Sequence, residues 1–506
     1  MDKTQQAGIY FPQILIPEKK VNKQKWSVIA CDQFTSNEDF WIKTQRIVGG
    51  APSTFHIIVP EAYIDMQDVP ERIAHAKQTM RNYIEDGVLV CLPEGVILTE
   101  RETPNGTRVG LVLAIDLEQY DTDFTKMPLI RASEETVSER IPIRVALRQD
   151  AVIECPHAVL LINDPADTVL GPVYEAKERL AKIYSTSLMQ DGGHIEGWFV
   201  EDKDILEGLT DSLIALERKA KDNMLFAVGD GNHSLASAKQ IWETKKASMD
   251  NEELETSPLR YALVEVVNLY DHGVNVYPIH RVLFNVDVPG ALRSLVGILN
   301  KTGQEAHMMY TRGTKGNAKP GTQAIRFESK MSKGYIEIGK PRHELVIKTL
   351  TDALDKLCKE MPRAKVDYIH GDDEFRTLAQ EHASLGFVME PVAKENLFNM
   401  VIKYGVLPRK SFSLGAAMEK RYYYECRLLV DADNAGDEDQ GGEQAEHEGI
   451  AGESEQRYDR PEEEQYVQPE YIEDDETKFV EQEDTSGSRA RRGRREKKAR
   501  RKRDKE

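Results

Sequence analysis

Cysteine is scarce in this 506-residue sequence: Cys31, Cys91, Cys155, Cys358 and Cys426 are scattered, odd in number and free of any CxxC pair. Such a set argues against a disulfide framework and against a zinc site, and most of these thiols are expected to be inert core fillers. No run approaches ~18 uninterrupted apolar residues, so nothing reads as a membrane-spanning helix. The opening MDKTQQAGIYFPQ lacks the basic stretch and apolar run of a signal peptide, and a cytoplasmic protein with no membrane partner is expected. GxxxxGK(S/T), GxSxG and HExxH are all missing, which sets aside P-loop, α/β-hydrolase and zincin readings. The histidines are not spaced as metal ligands, so no protein-held metal is expected. His233 and Ser234 are neighbours in sequence and cannot serve each other as base and nucleophile in the manner of a triad.

Hydrophobic residues make up only 40% of the chain, and the net charge is −19. Both figures trace largely to one region. Between Asp431 and Asp484 acidic residues, Gln and Gly dominate, and such a segment cannot bury enough apolar surface to offset its ordering entropy. The expected organisation is a globular body over 1–430, with a possible division into two subdomains near 286–300, an acidic disordered segment over 431–484 and a basic disordered tail over 485–506. The acidic balance implies solubility and weak repulsion from nucleic acid for most of the surface. The tail reverses that sign: Arg489 to Lys505 holds twelve Arg or Lys in seventeen residues, a block that can contact RNA or DNA, or fold back on its acidic neighbour.

Within the body, short apolar runs alternate with helical periods, which predicts an α/β or α+β fold around a mixed sheet. WSVIACD, FHIIVPE, GVLVCLP, GVILTE and VGLVLAIDLE read as strands, the last two forming a hairpin through Pro104-Asn105-Gly106. DTVLGPVYEAKERLAKIY, LTDSLIALERKAKD and HSLASAKQIWETKK read as helices. AIRFESKMSKGYIEIG reads as a hairpin turning at Lys333-Gly334.

The sharpest segment is FAVGDGNHS, a strand, a Gly-x-Gly turn and the first turn of a helix. Gly229 and Gly231 permit close backbone approach to a ligand, and free N–H groups at the helix start, from Asn232 to Ser234, favour a phosphate. Asp230 and His233 would face it. Simple helix capping accounts for the same pattern. LIRASEETVSER with Arg144 packs Arg131, Glu134, Glu139 and Arg140 beside strands; the arginines suit phosphate or carboxylate and Glu134 suits a base or Mg²⁺, while a surface ion-pair cluster is the plain alternative. Asp32, at the end of IACDQFTS, suits a general base or a metal ligand, or caps a turn. His194 follows a Gly-Gly pair. His280-Arg281 ends a strand, and Arg409-Lys410 lies in LPRKS, where the two cations suit an anionic substrate.

Eight blocks carry a resemblance: IACDQFTS, LIRASEETVSERIPIR, ECPHAVLLINDP, LMQDGGHIEGWFV, FAVGDGNHSLASAK, YALVEVVNLYD with PIHRVLF, DYIHGDDE, and LPRKSFSLGAAMEKRYYYECR. In this order they resemble the bacterial family of domain of unknown function 1015 over residues 8–430. GDGNHS is similar to the Asp-Gly-x-His-Arg signature of other branches, which resembles the phosphate-binding turn of ParB-like nucleotide-binding domains and of free-serine kinases. Ser234 replaces the final Arg, and Arg131 or Arg140 would have to supply that charge. The resemblance implies a ParB-like nucleotide-binding element, ATP or ADP with Mg²⁺ as cofactor, and a phosphotransferase or phosphohydrolase acting on a small polar metabolite, serine or phosphoserine first. In that reading Gly229–Ser234 cradles phosphate, Arg131, Arg140, Arg409 and Lys410 supply charge, Glu134, Asp32 or Asp230 acts as base or metal ligand, and His233 and His194 bond the phosphoryl group. The alternatives are a non-catalytic nucleotide-responsive regulator, and a nucleic-acid-associated protein acting through its basic tail.

Overall fold

The computed structural model describes residues 3–35, 37–136, 140–310 and 319–430; the acidic and basic tail segments lie outside the described residues, as do Ser36 and Glu139. The first part of the chain builds a mixed ten-stranded sheet from β1 (Ile9–Tyr10), β2 (Val96–Thr103), β3 (Gly106–Asp116), β4 (Tyr120–Asp121), β5 (Ile130–Arg131), β6 (Val159–Ile162), β7 (Ala181–Ser187), β8 (His194–Val200), β9 (Phe226–Asp230) and β10 (Tyr261–Asn268). The spatial order is β7-β8-β2-β3-β10-β6-β9-β5-β4, with β1 on β3. β4, β5 and β9 run parallel to one another, and β6 runs parallel to β10. The β2–β3 hairpin turns through Pro104-Asn105, as the turn chemistry predicts, with Thr103 opposite Gly106.

A second sheet, antiparallel throughout, follows from β11 (Val276–Phe284), β12 (Ala306–Tyr310), β13 (Gln323–Glu328), β14 (Lys333–Ile338), β15 (Lys365–His370), β16 (Leu385–Val388) and β17 (Phe412–Leu414). Its order is β12-β14-β13-β16-β11-β15, with β17 on β11. Strands thus pass from one sheet to the other between Asn268 and Val276; a division of the body into two subdomains stays a proposal.

Helices α1 (Val69–Glu85), α2 (Ile141–Arg148), α3 (Lys203–Glu217) and α4 (Asn232–Lys245) belong to the first part, α5 (Val288–Lys301) and α6 (Val346–Glu360) to the second. Burying the apolar stripes of α3 and α4 fixes one face of the first sheet: Leu209, Leu213, Leu235 and Trp242 join Leu98, Leu113, Leu160 and Phe226 in one core. On the other face Leu161 and Ala227 pack with Leu407, Phe412 and Leu414, which draws β17 against the end of β9. α5 and α6 cover the second sheet through Leu292, Leu295, Leu350 and Leu354 on Leu283, Phe327 and Phe387. Among the described residues no helix is long and apolar enough to cross a membrane. All five cysteines are free: Cys31 and Cys426 are buried, and Cys91 is exposed.

Four local expectations need correction. WSVIACD is no strand; Ile29 makes only an isolated bridge to Tyr422. FHIIVPE begins with a 3-10 turn, Thr54–Ile57, because the hydroxyls of Ser53 and Thr54 both donate to the carbonyl of Trp26 and bend the chain there. The helix expected over DTVLGPVYEAKERLAKIY stops at Glu175, and Ala181–Ser187 is drawn into strand by pairing with β8. The β13–β14 hairpin turns at Lys330-Met331 and not at Lys333-Gly334, since Ser329 N donates to Ser332 O across that loop. Gly334 instead lies inside β14, where a Cβ would meet the Met309 carbonyl.

Candidate functional site

β9 ends at Asp230, Gly231 takes a left-handed φ of 81°, and α4 starts at Asn232. Gly231 is the N-cap of α4 and supplies no side-chain cap, so the positive end of the dipole of a fourteen-residue helix faces the turn. The two glycines are required for a reason other than ligand approach. A Cβ on Gly231 would stand 2.7 Å from Ala158 Cα, and one on Gly229 would stand 2.8 Å from Leu414 Cδ2. Asn232 is a tie inward: its Oδ1 accepts from Ser133 N at 3.2 Å.

The turn opens on a cleft walled by six separated segments: Asp32-Gln33, Glu134-Glu135, Ile279, His370, Arg409 to Leu414, and Lys420. Asp230 pairs with the buried Lys420 at 3.1 Å, and its other oxygen accepts from Gly231 N at 3.0 Å. Glu134 accepts from Phe412 N at 3.0 Å and Lys410 N at 3.2 Å. Burial raises its pKa, against the pull of those two N–H groups. It therefore pins the 410–412 segment. Arg281 completes that support: buried beneath the loop, it donates to Lys410 O at 2.8 Å and Arg409 O at 3.4 Å. Lys410 itself holds a left-handed φ of 57°, and its Nζ makes no ion pair among the described residues. Arg409 turns to Asp355 at 2.6 Å and to Tyr368 Oη.

Charge in the cleft is graded. Burial acts to raise the Asp32 pKa, but His157 when protonated, then Arg144 and Lys410, outweigh it and hold the carboxyl well below its usual range. Asp32 is an ionised carboxylate at neutral pH. His233 is pushed down to about 3 by burial, then by the charges of Arg144 and Arg140. His370 is also pushed down to about 3, by burial and then by Lys420 and Lys410. Both are neutral imidazoles at pH 7. His370 Nδ1 is buried and has no hydrogen-bond partner among the described residues. Behind Asp32 lies His157, 3% exposed, whose Nδ1 meets Tyr423 Oη at 2.8 Å and whose Nε2 stands 3.7 Å from Asp32 Oδ2.

Several residues singled out in the sequence stand elsewhere. Arg131 is buried beneath β5 and donates to the carbonyls of Pro128 and Asp222. It cannot replace the signature arginine. Arg140 pairs with Glu61 at 2.5 Å and reaches the site only as a field on His233. Ser234 faces a neighbouring apolar cavity lined by Ile57, Met80 and Leu147. His194 lies on β8 against Ser185, on the far side of the sheet order. His280 is buried between Asp372 and the N–H of Met389. In return the fold contributes His370, Lys420, His157 and Gln33, which sequence reasoning passed over. Their motifs, DYIHGDDE, MEKRYYYE, ECPH and CDQF, were all visible as charged or imidazole groups beside strands. Nothing local marks them as neighbours.

A family model matches residues 12–353, under the description Protein of unknown function (DUF1015). The chain belongs to that family. Outside the matched span lie DYIHGDDE, LPRKS and MEKRYYYE, which supply His370, Arg409, Lys410 and Lys420. Comparison with curated proteins finds no match. Among solved structures, a free serine kinase in complex with AMP is 11% identical, with a TM-score of 0.37 over 62% of this chain and 90% of that one. A conserved hypothetical protein from Pyrococcus furiosus is 12% identical, with a TM-score of 0.34 over 62% and 90%. SbnI with a C-terminal truncation, from Staphylococcus aureus, is 9% identical, with a TM-score of 0.30 over 63% and 83%. Among the described residues no group of three or more His, Cys, Asp or Glu is placed to hold a metal.

Proposed function

We propose that the cleft binds a phosphorylated small molecule and that the protein transfers a phosphoryl group between a nucleotide and a small hydroxyl-bearing metabolite. The observation that carries this reading is the start of α4, which has no side-chain cap, on a cleft shared with Lys410, whose ammonium makes no ion pair among the described residues. Oriented N–H groups and a nearby cation form a phosphate cradle that needs no P-loop. The second lysine, Lys420, is paired with Asp230, so we assign Lys410 to the phosphoryl oxygens. His370 and His233, uncharged, are suited to hydrogen-bond phosphoryl oxygens.

Asp32 is the proton acceptor in this reading. It is ionised and faces the cleft, whereas Glu134 is committed to backbone N–H groups. The substrate hydroxyl gives its proton to Asp32 as its oxygen bonds to phosphorus. The phosphorus–oxygen bond to the nucleotide breaks in line, and the electron pair leaves with the nucleotide. Mg²⁺ carried on the nucleotide phosphates needs only one or two protein carboxylates, and Glu135 on the cleft wall is the one we assign. Walls of both charge signs suit a zwitterion, and serine is the first substrate to test, on the resemblance of the GDGNH turn.

The test is turnover by the full-length protein with ADP or ATP and serine, read as phosphoserine formed, together with thermal shift against nucleotides. A ligand at 100 times its Kd should stabilise the protein by about 2.7 kcal/mol. Binding of a nucleotide without any product would favour the second reading, a nucleotide-responsive regulator. No stabilisation by any phosphorylated ligand at millimolar concentration would end both.

A further inference from the structure

Tyr423, His157 and Asp32 form a chain of contacts that runs from the buried interior to the cleft. The backbone N–H of Cys31 donates to Tyr423 Oη at 3.2 Å, so the hydroxyl accepts there. Its own proton then has two neighbours, the His157 Nδ1 at 2.8 Å and the Cys31 sulfur, which already accepts from Arg144 at 3.6 Å. An imidazole nitrogen is a far better acceptor than a thiol. Tyr423 therefore donates to Nδ1, and a neutral His157 must carry its proton on Nε2. That N–H is buried and has no hydrogen-bond partner among the described residues. Across from it, 3.7 Å away, stands Oδ2 of Asp32, whose other oxygen is engaged by Gln33 Nε2 at 2.9 Å.

A donor without an acceptor thus faces a carboxylate oxygen at a distance just beyond hydrogen-bond range. Closing the gap takes a shift of about 0.5–1 Å, and contacts of this kind commonly tighten only when substrate binds. We propose that His157 is the positioning residue for Asp32: its Nε2–H, fixed in that tautomer by Tyr423, orients the carboxylate that accepts the substrate proton. The inference rests on the reading of Asp32 given above. His157 neither gains nor loses a proton in the step. The groups facing it are Asp32, Arg144, Asp230, Glu61, Tyr423 and Cys31. Burial and Arg144 disfavour its cationic form, in keeping with a neutral donor.

The tautomer is measurable without any activity, by long-range proton–nitrogen NMR of the full-length protein labelled in histidine, with His157→Gln to assign the signal. The expected result is a neutral His157 at pH 7 with its proton on Nε2, and a mixture of both tautomers in Tyr423→Phe. A proton on Nδ1 in the parent, or a tautomer unmoved by Tyr423→Phe, would overturn the proposal. In the turnover assay His157→Leu should lower kcat roughly a hundredfold with KM unchanged, within the contribution a positioned base makes. His157→Gln, which restores an N–H donor, should recover at least tenfold of that loss. Asp32→Asn separates the two claims. If it abolishes turnover while His157→Leu does not lower kcat, positioning by His157 is wrong and the phosphotransfer reading stands; if it leaves turnover intact, the reading of Asp32 falls and this inference with it.

Discussion

Replacing Gly231 by alanine tests whether the turn at the head of α4 is held by packing. Two costs add. The residue sits at φ 81°, a conformation that costs an L-residue roughly 1–2 kcal/mol. The new methyl would also stand 2.7 Å from Ala158 Cα and 2.9 Å from its Cβ. The nearest atom is backbone, just before β6 and held by the hydrogen bond from Glu265 N to Ala158 O, so the contact is relieved only by moving the turn away; overpacking of this kind costs about 1–3 kcal/mol. The expected loss is roughly 2–5 kcal/mol, read as the shift in urea-unfolding free energy relative to the parent. Gly229→Ala is the internal control. Its φ is ordinary, and its nearest neighbours are the side chains of Leu414 and Leu161, which can rotate away. Only the packing cost applies there, so Gly229→Ala should be the milder of the two. A Gly231→Ala protein within about 0.5 kcal/mol of the parent, the range of ordinary surface substitutions, would refute the packing account. So would the reverse ranking of the pair.

The two neutral histidines of the cleft should shape the acid limb of stability. His233 and His370 fall from 6.5 to about 3 on folding, so between those values the unfolded chain binds more protons than the folded one. Stability is fully present above pH 6.5 and is lost as pH falls toward 3, by up to about 1.4 kcal/mol per pH unit for each residue; His233→Asn and His370→Asn should each flatten the slope of unfolding free energy against pH, and an unchanged slope would contradict the assignment. Arg281→Ala should leave the carbonyls of Arg409 and Lys410 without their donor, at about 1–3 kcal/mol for each group left unsatisfied. It should also weaken phosphate binding by loosening Lys410, and an effect on stability without one on binding would separate the loop from the cradle. For the basic block Arg489–Lys505, retention on RNA should fall steeply between low and physiological salt, because each phosphate contact releases a counterion; salt-insensitive binding would exclude that mode.

Local chemistry was legible where a short window decides it. The GDGN turn, the Pro104-Asn105 hairpin and the amphipathic faces of α3 and α4 each follow from spacing within a dozen residues. The same windows misled where a distant partner decides. KERLAKIY satisfies a helical and an alternating period alike, and only β8 makes its second half a strand. Lys333-Gly334 has turn composition, yet Gly334 is required inside the sheet by the close Met309 carbonyl. Arg131 read as a phosphate ligand because it is an arginine beside a glutamate. Two carbonyls hold it instead, one of them 91 positions away. His370 and Lys420 carried no local signal, since their meaning comes from standing beside Asp230 and Asp32, which no window contains.

The assembly of the cleft depends heavily on the last stretch of the described chain. Leu407 N donates to Ser133 O and Leu407 O accepts from Glu135 N, Glu134 receives the 410–412 loop, Lys420 meets Asp230, and Tyr423 reaches His157. The same stretch is anchored independently of the cleft by a buried ionic network: Arg421 bonds Glu265 at 2.7 Å and Glu425 at 2.6 Å, and Arg427 bonds Glu154 at 2.7 Å. Buried pairs of this kind add little net stability, but they tolerate no loss of a partner. They specify where the segment must lie. A chain ended at 353, the limit of the family match, would keep the α4 turn and Asp32. It would lose Lys410, Lys420 and His370, and would take Arg421 from Glu265 and Arg427 from Glu154, leaving these buried carboxylates with Arg108 and Arg148 alone. The phosphate cradle and the core are therefore completed by the same residues, so binding at the cleft should be tested in the protein that carries them through Val430.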